Sequence, residues 1–512
     1  MRFERQGFSR TIRQMPRENL LAVVPTFFMT KTYARFSAGL WMTLALGCSS
    51  VNVPLNGPSV ALENRVDNQT RAALHTHIAP LDARGGTVVG PNRRGLARGV
   101  SVEAAASRPT VDEDPRHDGY FVGIAISGGG SRSANFSAAC LFQLQRLGLM
   151  EHVDYLSSVS GGSLTAACYC LWDSKWNPAN VQAKLTHSFA TDMIVDFMMP
   201  WNMVALAVSD YDRSDLLAKS LRKTLFTRDG HELTFADLRA DRPHLLINAT
   251  DLQSGRRFVF CNESFDEINS DLAKYPMAYA VAASSAVPVV MHQVTLRDFS
   301  TIFKQYRHLV DGGVMDNLGV QTLAEVYEAH LRDAQDAGEP SPYPRGAVLV
   351  VIDAATNNDS QISDKSDTGI LETLQAGAGV ATRNLLNRSS SATLAEMIVK
   401  YSPDQVDAKT LRRQMAALQR DGYVEMRDRD GRPVRIVHLS LNRVGKLSRL
   451  PFHGFGESLN NIQTYFNIDP TEAYYLYQAA DLLVEQKFRP ALERIVEDVR
   501  AASTQPVMRG QQ

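Results

Sequence analysis

The chain has 512 residues, of which 44% are hydrophobic and 21% are charged, and these proportions are typical of a folded globular protein. Its formal net charge is −1 and it has no extended basic stripe, which argues against nucleic acid as a partner because phosphate binding needs clustered Lys and Arg side chains. The length is sufficient for one large domain or two to three ordinary ones.

Residues 1–48 have the pattern of a secretory signal peptide. A short basic segment precedes an apolar run over 36–47, which is too short to span a bilayer and stops at Cys48. The tetrapeptide that ends at Cys48 reads Ala-Leu-Gly-Cys and resembles a bacterial lipobox, whose cysteine is acylated and becomes the mature N-terminus. We therefore expect a lipid anchor at Cys48. The alternative is a buried core helix that contains this cysteine.

Two further residues bear on this signal. A start at Met29 would give it a more ordinary basic segment than the longer chain does. Ser49 follows the cysteine where no Asp is present, which resembles sorting to the outer membrane of a Gram-negative bacterium. We expect an envelope lipoprotein whose residues 49–117, rich in Gly, Pro, Asn and Arg, form a flexible tether.

The sequence changes character after residue 117. An apolar run over 121–126 predicts a strand buried on both faces, and a glycine triplet at 128–130 follows it. Apolar residues then recur at helical spacing over 136–147, and the next strand is predicted at 156–159. This strand–helix–strand order predicts a parallel βαβ unit.

Further elements continue to the end of the chain, so we expect one α/β domain with a core over 118–330 and a continuation over 331–512. Later strands are predicted at 245–250, 257–260, 347–353 and 435–441, and long helices at about 370–398 and 471–500.

The triplet Gly128, Gly129 and Gly130 presents backbone amides at a predicted helix start, where an anion or an oxyanion can bind. It lacks both the G-x-G-x-x-G spacing and the Walker lysine, so it favours nucleotide binding only weakly. In acyl transfer, the same amides would stabilise developing negative charge. Arg132 either supports this loop, pairs with a lipid phosphate, or faces solvent at the helix start.

Ser160 lies at a predicted strand-to-helix turn of the nucleophile-elbow kind. Ser158 replaces the first glycine of the usual G-x-S-x-G pattern, whereas Gly161 and Gly162 are small enough for the turn to close. An ordinary strand–turn–helix junction is the alternative for this segment taken alone.

A serine nucleophile needs a base. The late residues His438 and His453 have no compelling loop context, whereas Asp311 lies where an apolar strand meets Gly312 and Gly313. A carboxylate there could take the proton of Ser160 directly. A structural Asx turn is the alternative, and a calcium loop is disfavoured because the alternating oxygen ligands are missing.

These three motifs, in this order, resemble the patatin-like phospholipases over about 119–320. The small-residue segment 283–288, which ends in proline, is also similar to that family. The resemblance implies a three-layer α/β/α fold with a mainly parallel sheet. It also implies a Ser160–Asp311 dyad without histidine, an oxyanion hole at residues 128–130, no metal and no cofactor. The implied reaction is the hydrolysis of acyl esters in glycerophospholipids.

The sequence departs from the family pattern at Ser158 and at Asn317-Leu318-Gly319, where the family often has Asn-x-Pro. Two other functions stay open: a general esterase or thioesterase with the same dyad, and a non-catalytic envelope lipoprotein.

A Met-rich apolar stretch over 193–208 would suit an acyl chain or a core helix pair. The four later cysteines are expected to be buried thiols, with a disulfide to Cys261 left open.

Overall fold

The computed structural model describes residues 54–59, 118–199, 212–288, 290–301, 305–356, 390–401, 407–464 and 466–503. The predicted signal peptide with Cys48, most of the predicted tether and the first part of the helix predicted at about 370–398 lie outside these ranges. Anchoring and localisation therefore stay predictions.

Nine strands form one sheet. They are β1 (Tyr120–Ile126), β2 (Tyr155–Val159), β3 (His244–Asp251), β4 (Arg256–Phe260), β5 (Val294–Asp298), β6 (Gln305–Asp311), β7 (Gly346–Asp353), β8 (Tyr423–Arg427) and β9 (Pro433–Ser440). Their order is β8-β9-β7-β1-β2-β3-β6-β5, with β4 paired to β3. The five strands from β9 to β3 run parallel, whereas β8, β4, β6 and β5 pair antiparallel with their neighbours. A separate short hairpin pairs Thr227–Arg228 with His231–Glu232.

Helices surround this sheet. They are α1 (Gly130–Leu147), α2 (Gly161–Leu171), α3 (Pro178–Leu185), α4 (Phe189–Met198), α5 (Arg213–Thr224), α6 (Asn262–Glu267), α7 (Met277–Ser284), α8 (Gly313–Asp316), α9 (Val320–Ala337), α10 (residues 390–400), α11 (Ala408–Asp421), α12 (Phe455–Asn461), α13 (Pro470–Leu483) and α14 (Arg489–Ser503). A π-helical turn, Val484–Phe488, joins α13 to α14, so the helix predicted over 471–500 is interrupted there.

The sheet is covered on both faces. Side chains of β1 alternate between two apolar clusters: Val122 and Ile124 belong to one, and Phe121 and Ala125 belong to the other. The first cluster includes residues of α1, α2, α7, α13 and α14, and the second includes residues of α9, α10 and α11. The patatin-like α/β/α fold predicted from the sequence is therefore confirmed, with antiparallel strands at its margins.

Strand β3 brings two sequence-distant turns together. Its residue Asn248 pairs with Val159, at the end of β2, and its next residue Ala249 pairs with Asp311, at the end of β6. Because β4 occupies the other edge of β3 at these positions, β2 and β6 share one edge. The residue that follows β2 and the last residue of β6 therefore meet.

Two other expectations concern described residues. Cys140, Cys168, Cys170 and Cys261 are free and buried, so none forms the disulfide left open above. Of the Met-rich stretch over 193–208, residues 200–208 lie outside the described ranges. Its first part, in α4, exposes Ile194 and Met198, by 64% and 60%, so this face of α4 is not part of the core. No helix within the described ranges is long and apolar enough to cross a membrane.

Candidate active site

Ser160 has a backbone conformation that few non-glycine residues adopt. Its φ is 51° and its ψ is −125°, and it directly precedes α2. Strained backbone of this kind at a strand-to-helix turn projects the serine hydroxyl away from the sheet, as in a nucleophile elbow. Ser158 is tolerated because its hydroxyl is buried and donates to the carbonyl of Leu246, at 3.4 Å.

The elbow packs directly on the glycine loop. A Cβ atom on Gly161 would collide with the backbone of Gly130, and one on Gly162 would lie 2.5 Å from Ile126 Cγ2. On Gly128, a Cβ would lie 3.3 Å from that of Ser160. The N-termini of α1 and α2 approach each other closely at the nucleophile, and only glycine leaves room for this approach in both motifs.

Asp311 lies at the same point. Its carboxylate accepts a 2.8 Å hydrogen bond from the amide of Gly313, and the Ser160 hydroxyl lies near enough to help lower its pKa. Burial raises the pKa of Asp311 to about 6, against the opposing effects of the Gly313 amide and the Ser160 hydroxyl. A base with this pKa is ionised at neutral pH and still strong enough to accept a hydroxyl proton.

Ser284 holds the backbone of the nucleophile turn by hydrogen bonds. Its hydroxyl accepts a 2.8 Å hydrogen bond from the Ser160 amide and donates to the carbonyl of Asn248, at 2.6 Å. Ser163 Oγ lies 3.1 Å from the same hydroxyl. This residue satisfies the buried amide of the strained turn, which would otherwise cost free energy. The sequence indicates the small-residue segment 283–288 but gives no signal for this role of Ser284.

The glycine triplet divides into two parts. The amide of Gly128 donates to the carbonyl of Asn317, at 3.0 Å, so it is not available for an oxyanion, contrary to the expectation for all three glycines. No acceptor among the described residues takes the amide protons of Gly129 and Gly130. These two amides are the remaining candidates of the triplet for an oxyanion hole.

Arg132 is buried and does not face solvent. Its Nη1 donates to Thr356 Oγ1, at 3.2 Å, and to the carbonyl of Ile462, at 2.9 Å. Its Nη2 lies 3.7 Å from the position of a Cβ on Gly129. The guanidinium therefore supports the glycine loop and connects it to the C-terminal part of the chain.

His438 is engaged away from the nucleophile. Its Nε2 lies 3.0 Å from Asp353 Oδ2, and its Nδ1 lies 3.3 Å from Arg443 Nη2. Burial would raise the pKa of Asp353, but its hydrogen bond with His438 contributes to holding that pKa below its usual value. His453 is exposed. The described geometry thus gives the elbow a carboxylate partner, not an imidazole.

The departure from Asn-x-Pro also has a local reason. Gly319 has a φ of 71°, which proline does not adopt, and its carbonyl accepts a 2.7 Å hydrogen bond from Ser157 Oγ. Asn317 Nδ2 donates to Ser390 Oγ, at 3.2 Å. This turn still holds Gly128, so the departure leaves the glycine loop fixed.

The described residues contain no group of three or more His, Cys, Asp or Glu side chains that could hold a metal ion. The chemistry that the geometry allows is a proton transfer from Ser160 to Asp311 and an attack on an acyl carbon, with oxyanion stabilisation by backbone amides.

Residues 124–324 match the family model described as Patatin-like phospholipase. The fold is the patatin-like α/β/α fold, and residues 124–324 form a patatin-like phospholipase domain.

Among curated proteins, mouse (Mus musculus) cytosolic phospholipase A2 delta is 30% identical over 151 residues, which cover 28% of this chain and 16% of the mouse protein. Among solved structures, human GIVD cytosolic phospholipase A2 is 13% identical with a TM-score of 0.42, over 75% of this chain and 60% of that one. VipD from Legionella pneumophila is 13% identical with a TM-score of 0.26, over 72% of this chain and 67% of that one. The chain therefore spans about a sixth of the mouse protein's length.

Proposed function

We propose that the protein is a serine lipid acyl hydrolase that cleaves acyl esters of glycerophospholipids with Ser160 as nucleophile and Asp311 as base. The observation that carries the proposal is the proximity of Ser160, at a strained elbow, to the buried Asp311 carboxylate, which follows from their adjacent positions along β3. The patatin-like phospholipase domain over 124–324 supports the same reaction class.

In the first half of the reaction, Asp311 takes the hydroxyl proton while Ser160 Oγ attacks the ester carbonyl carbon. The negative charge that develops on the carbonyl oxygen is stabilised by the amides of Gly129 and Gly130 and by the N-terminus of α1. Protonated Asp311 then gives its proton to the departing lysophospholipid alcohol, which leaves an acyl-serine. Water, activated by the same carboxylate, releases the fatty acid and restores the serine.

A second part of the proposal concerns location. We propose that Cys48 is diacylated and holds the protein on the bacterial envelope, in the outer membrane. The support is the sequence alone: the apolar run over 36–47, the Ala-Leu-Gly-Cys tetrapeptide and Ser49. Radiolabelled palmitate should be incorporated by the unaltered chain and not by Cys48→Ser. Equal incorporation by both would reject the anchor.

The test of the reaction is an assay of purified protein against a panel of diacyl phospholipids, short-chain esters and thioesters. Hydrolysis of phospholipids by the unaltered chain, and not by Ser160→Ala, is the expected result. Turnover restricted to soluble esters or thioesters would favour the general esterase. If no substrate turned over and Ser160 reacted with no acyl probe, the protein would be a non-catalytic lipoprotein.

A further inference from the structure

Six residues of the predicted tether are held firmly on the folded body. Asn56 is buried, and its side-chain amide brackets Arg297: Nδ2 donates to the Arg297 carbonyl and Oδ1 accepts from the Arg297 amide, both at 2.8 Å. Asn56 Nδ2 also lies 3.1 Å from Ser270 Oγ, which donates to the carbonyl of Gly57, and Ser59 donates to Asn269. Residues 54–59, here called the N-terminal clamp, thus cover the outer edge of β5.

The clamp lies toward the end of the sheet at which β2 and β3 finish, and the candidate active site lies at the same end. Strand β6 continues past the end of β2 along the same edge of β3, so the β5–β6 hairpin projects beyond Ser160. Arg297 pairs with Tyr306, five residues before Asp311, which corresponds to about 17 Å along an extended strand. The hairpin therefore extends past the ends of β2 and β3, at the end of the sheet that carries Ser160.

Exposed apolar side chains accompany this hairpin. Leu55 in the clamp is 44% exposed, and Leu252, whose amide donates to His308 of β6, is 53% exposed. The exposed Arg297 guanidinium lies 4.8 Å from the ring centroid of half-buried Phe299. We call these four residues the hairpin rim. Exposed aliphatic, aromatic and cationic side chains on and beside one hairpin are typical of surfaces that enter the headgroup region of a bilayer.

One exposed apolar side chain also lies close to Asp311 in the chain. Met315 follows Asp311 by four residues in α8 and is 41% exposed. Two acidic side chains near the hairpin are not exposed: Asp251 of β3 and Asp298 of β5 are buried, and both pair with Arg307 of β6. The four rim residues include one cation, Arg297, and no acid, although Glu267 is exposed close to the clamp contact at Asn269. Arg297 among apolar side chains suits the headgroup region of a phospholipid bilayer, which we take as the partner.

We propose that the hairpin rim docks on a phospholipid bilayer, and that the N-terminal clamp keeps the edge bearing Ser160 and Asp311 turned toward it. This inference rests on the proposed function and on the anchor at Cys48. Asn56 follows Cys48 by eight residues, which span at most about 28 Å when fully extended. An acyl group on Cys48 would therefore hold the rim near the membrane, because the clamp fixes where the chain joins the body.

The test places a fluorophore at Leu252→Cys in the full chain, combined with Ser160→Ala so that lipid is not consumed. The matched control is Val399→Cys, a residue 56% exposed on α10. The four cysteines within the described ranges are buried, and the chain without a new cysteine gives the labelling background. On vesicles of phosphatidylethanolamine and phosphatidylglycerol, brominated phospholipid should quench the probe at 252 by at least about twofold more than the probe at 399.

Equal quenching at both positions, or none at 252, would overturn the docking surface. So would a change at 252 that depended on protein concentration and not on vesicles, because it would identify a second copy of the chain as the occupant. The readout needs no turnover, so it stands apart from the hydrolase proposal, which fails if the chain with Ser160 hydrolyses no lipid.

The clamp has its own test in Asn56→Ala, in a chain that keeps Ser160. Hydrolysis of vesicle phospholipid should fall by about tenfold while hydrolysis of a soluble short-chain ester is retained, because orientation at the membrane is lost and the site is intact. Equal loss on both substrates would mean that the clamp serves stability alone, and no loss on either would remove its role.

Discussion

Val159 and Asp311 occupy successive positions along one edge of strand β3, paired with Asn248 and Ala249. Ser160 follows Val159 directly, so the serine hydroxyl and the carboxylate meet although 150 residues separate them in the chain. Burial at this junction disfavours the charged form of Asp311 and so raises its pKa. The Gly313 amide and the Ser160 hydroxyl oppose this effect, which keeps the pKa at about 6.

The rate of acyl transfer should depend on the ionisation of Asp311. Because only the carboxylate accepts the proton of Ser160, kcat/KM should rise with pH through an apparent pKa of about 6 and level off above it. A pH profile on a soluble ester measures this. A profile that is flat from pH 4 to pH 8 would contradict the role of Asp311.

The same carboxylate should cost stability at neutral pH. Its pKa is about 6 when folded and lies near 3.8 when unfolded, so the folded state prefers the protonated form and loses stability as pH rises between these values. Asp311→Asn, which stays neutral, should raise the free energy of unfolding by up to about 3 kcal/mol at pH 8 and by little at pH 3.5. Urea unfolding at the two pH values tests this, and equal effects at both would contradict it.

Two adjacent serines provide a matched pair beneath the elbow. Ser284→Ala removes the acceptor of the Ser160 amide and should lower the free energy of unfolding by about 1–3 kcal/mol and slow acylation of Ser160. The buried Ser285 hydroxyl has no hydrogen-bond partner in the described part of the chain, so Ser285→Ala should leave both quantities unchanged. Denaturant unfolding and the rate of modification by a fluorophosphonate measure the difference. Similar losses in both variants would contradict the account of Ser284.

The close approach of α1 and α2 should tolerate no side chain at Gly161. A methyl group there meets the Gly130 backbone, which leaves no flexible atom to move, so Gly161→Ala should destabilise the fold by roughly 2–4 kcal/mol and abolish turnover. Gly445→Ala is the control because a Cβ there has only an ordinary contact, at 3.4 Å. Thermal unfolding compares them, and a stable, active Gly161→Ala protein would be incompatible with the packing described.

The buried arginine should matter more than an exposed one. Arg132→Met removes the donor to Thr356 and Ile462 and should lower the free energy of unfolding by roughly 3 kcal/mol. Arg146→Met, at a position 64% exposed, should change it by less than about 0.5 kcal/mol. Chemical denaturation of the two variants decides this, and equal stabilities would mean that Arg132 does not tie the glycine loop to the C-terminal region.

Much of the site could be predicted because the turns that form it require particular residue types at neighbouring positions in the sequence. Only small residues fit beside Ser160, and the apolar strand before it identifies the turn. Gly161 and Gly162 can therefore be recognised as part of the elbow from the sequence. The parallel strands were predictable for the same reason, since burial on both faces gives continuous apolar runs such as β1 and β7.

The antiparallel pairing at the margin was not predictable from the sequence, although β4 and the end of β6 at Asp311 were. Strand β6 reads Gln-Tyr-Arg-His-Leu-Val-Asp, and only its last three residues are buried, so most of its length gives no apolar run. Ser284 was missed because its role depends on Asn248, which is distant in sequence, and the commitment of the Gly128 amide depends on Asn317. Such long-range hydrogen bonds leave no periodic signal.

The central claim is that Ser160 and Asp311 act together in acyl transfer from phospholipid. The most direct measurement treats the full chain with a fluorophosphonate, locates the modified peptide by mass spectrometry and assays phospholipid vesicles in parallel. We predict one adduct, on Ser160, with both adduct and turnover absent in Ser160→Ala and lowered by at least about a thousandfold in Asp311→Asn. An adduct on another residue, or full turnover in either variant, would contradict the claim.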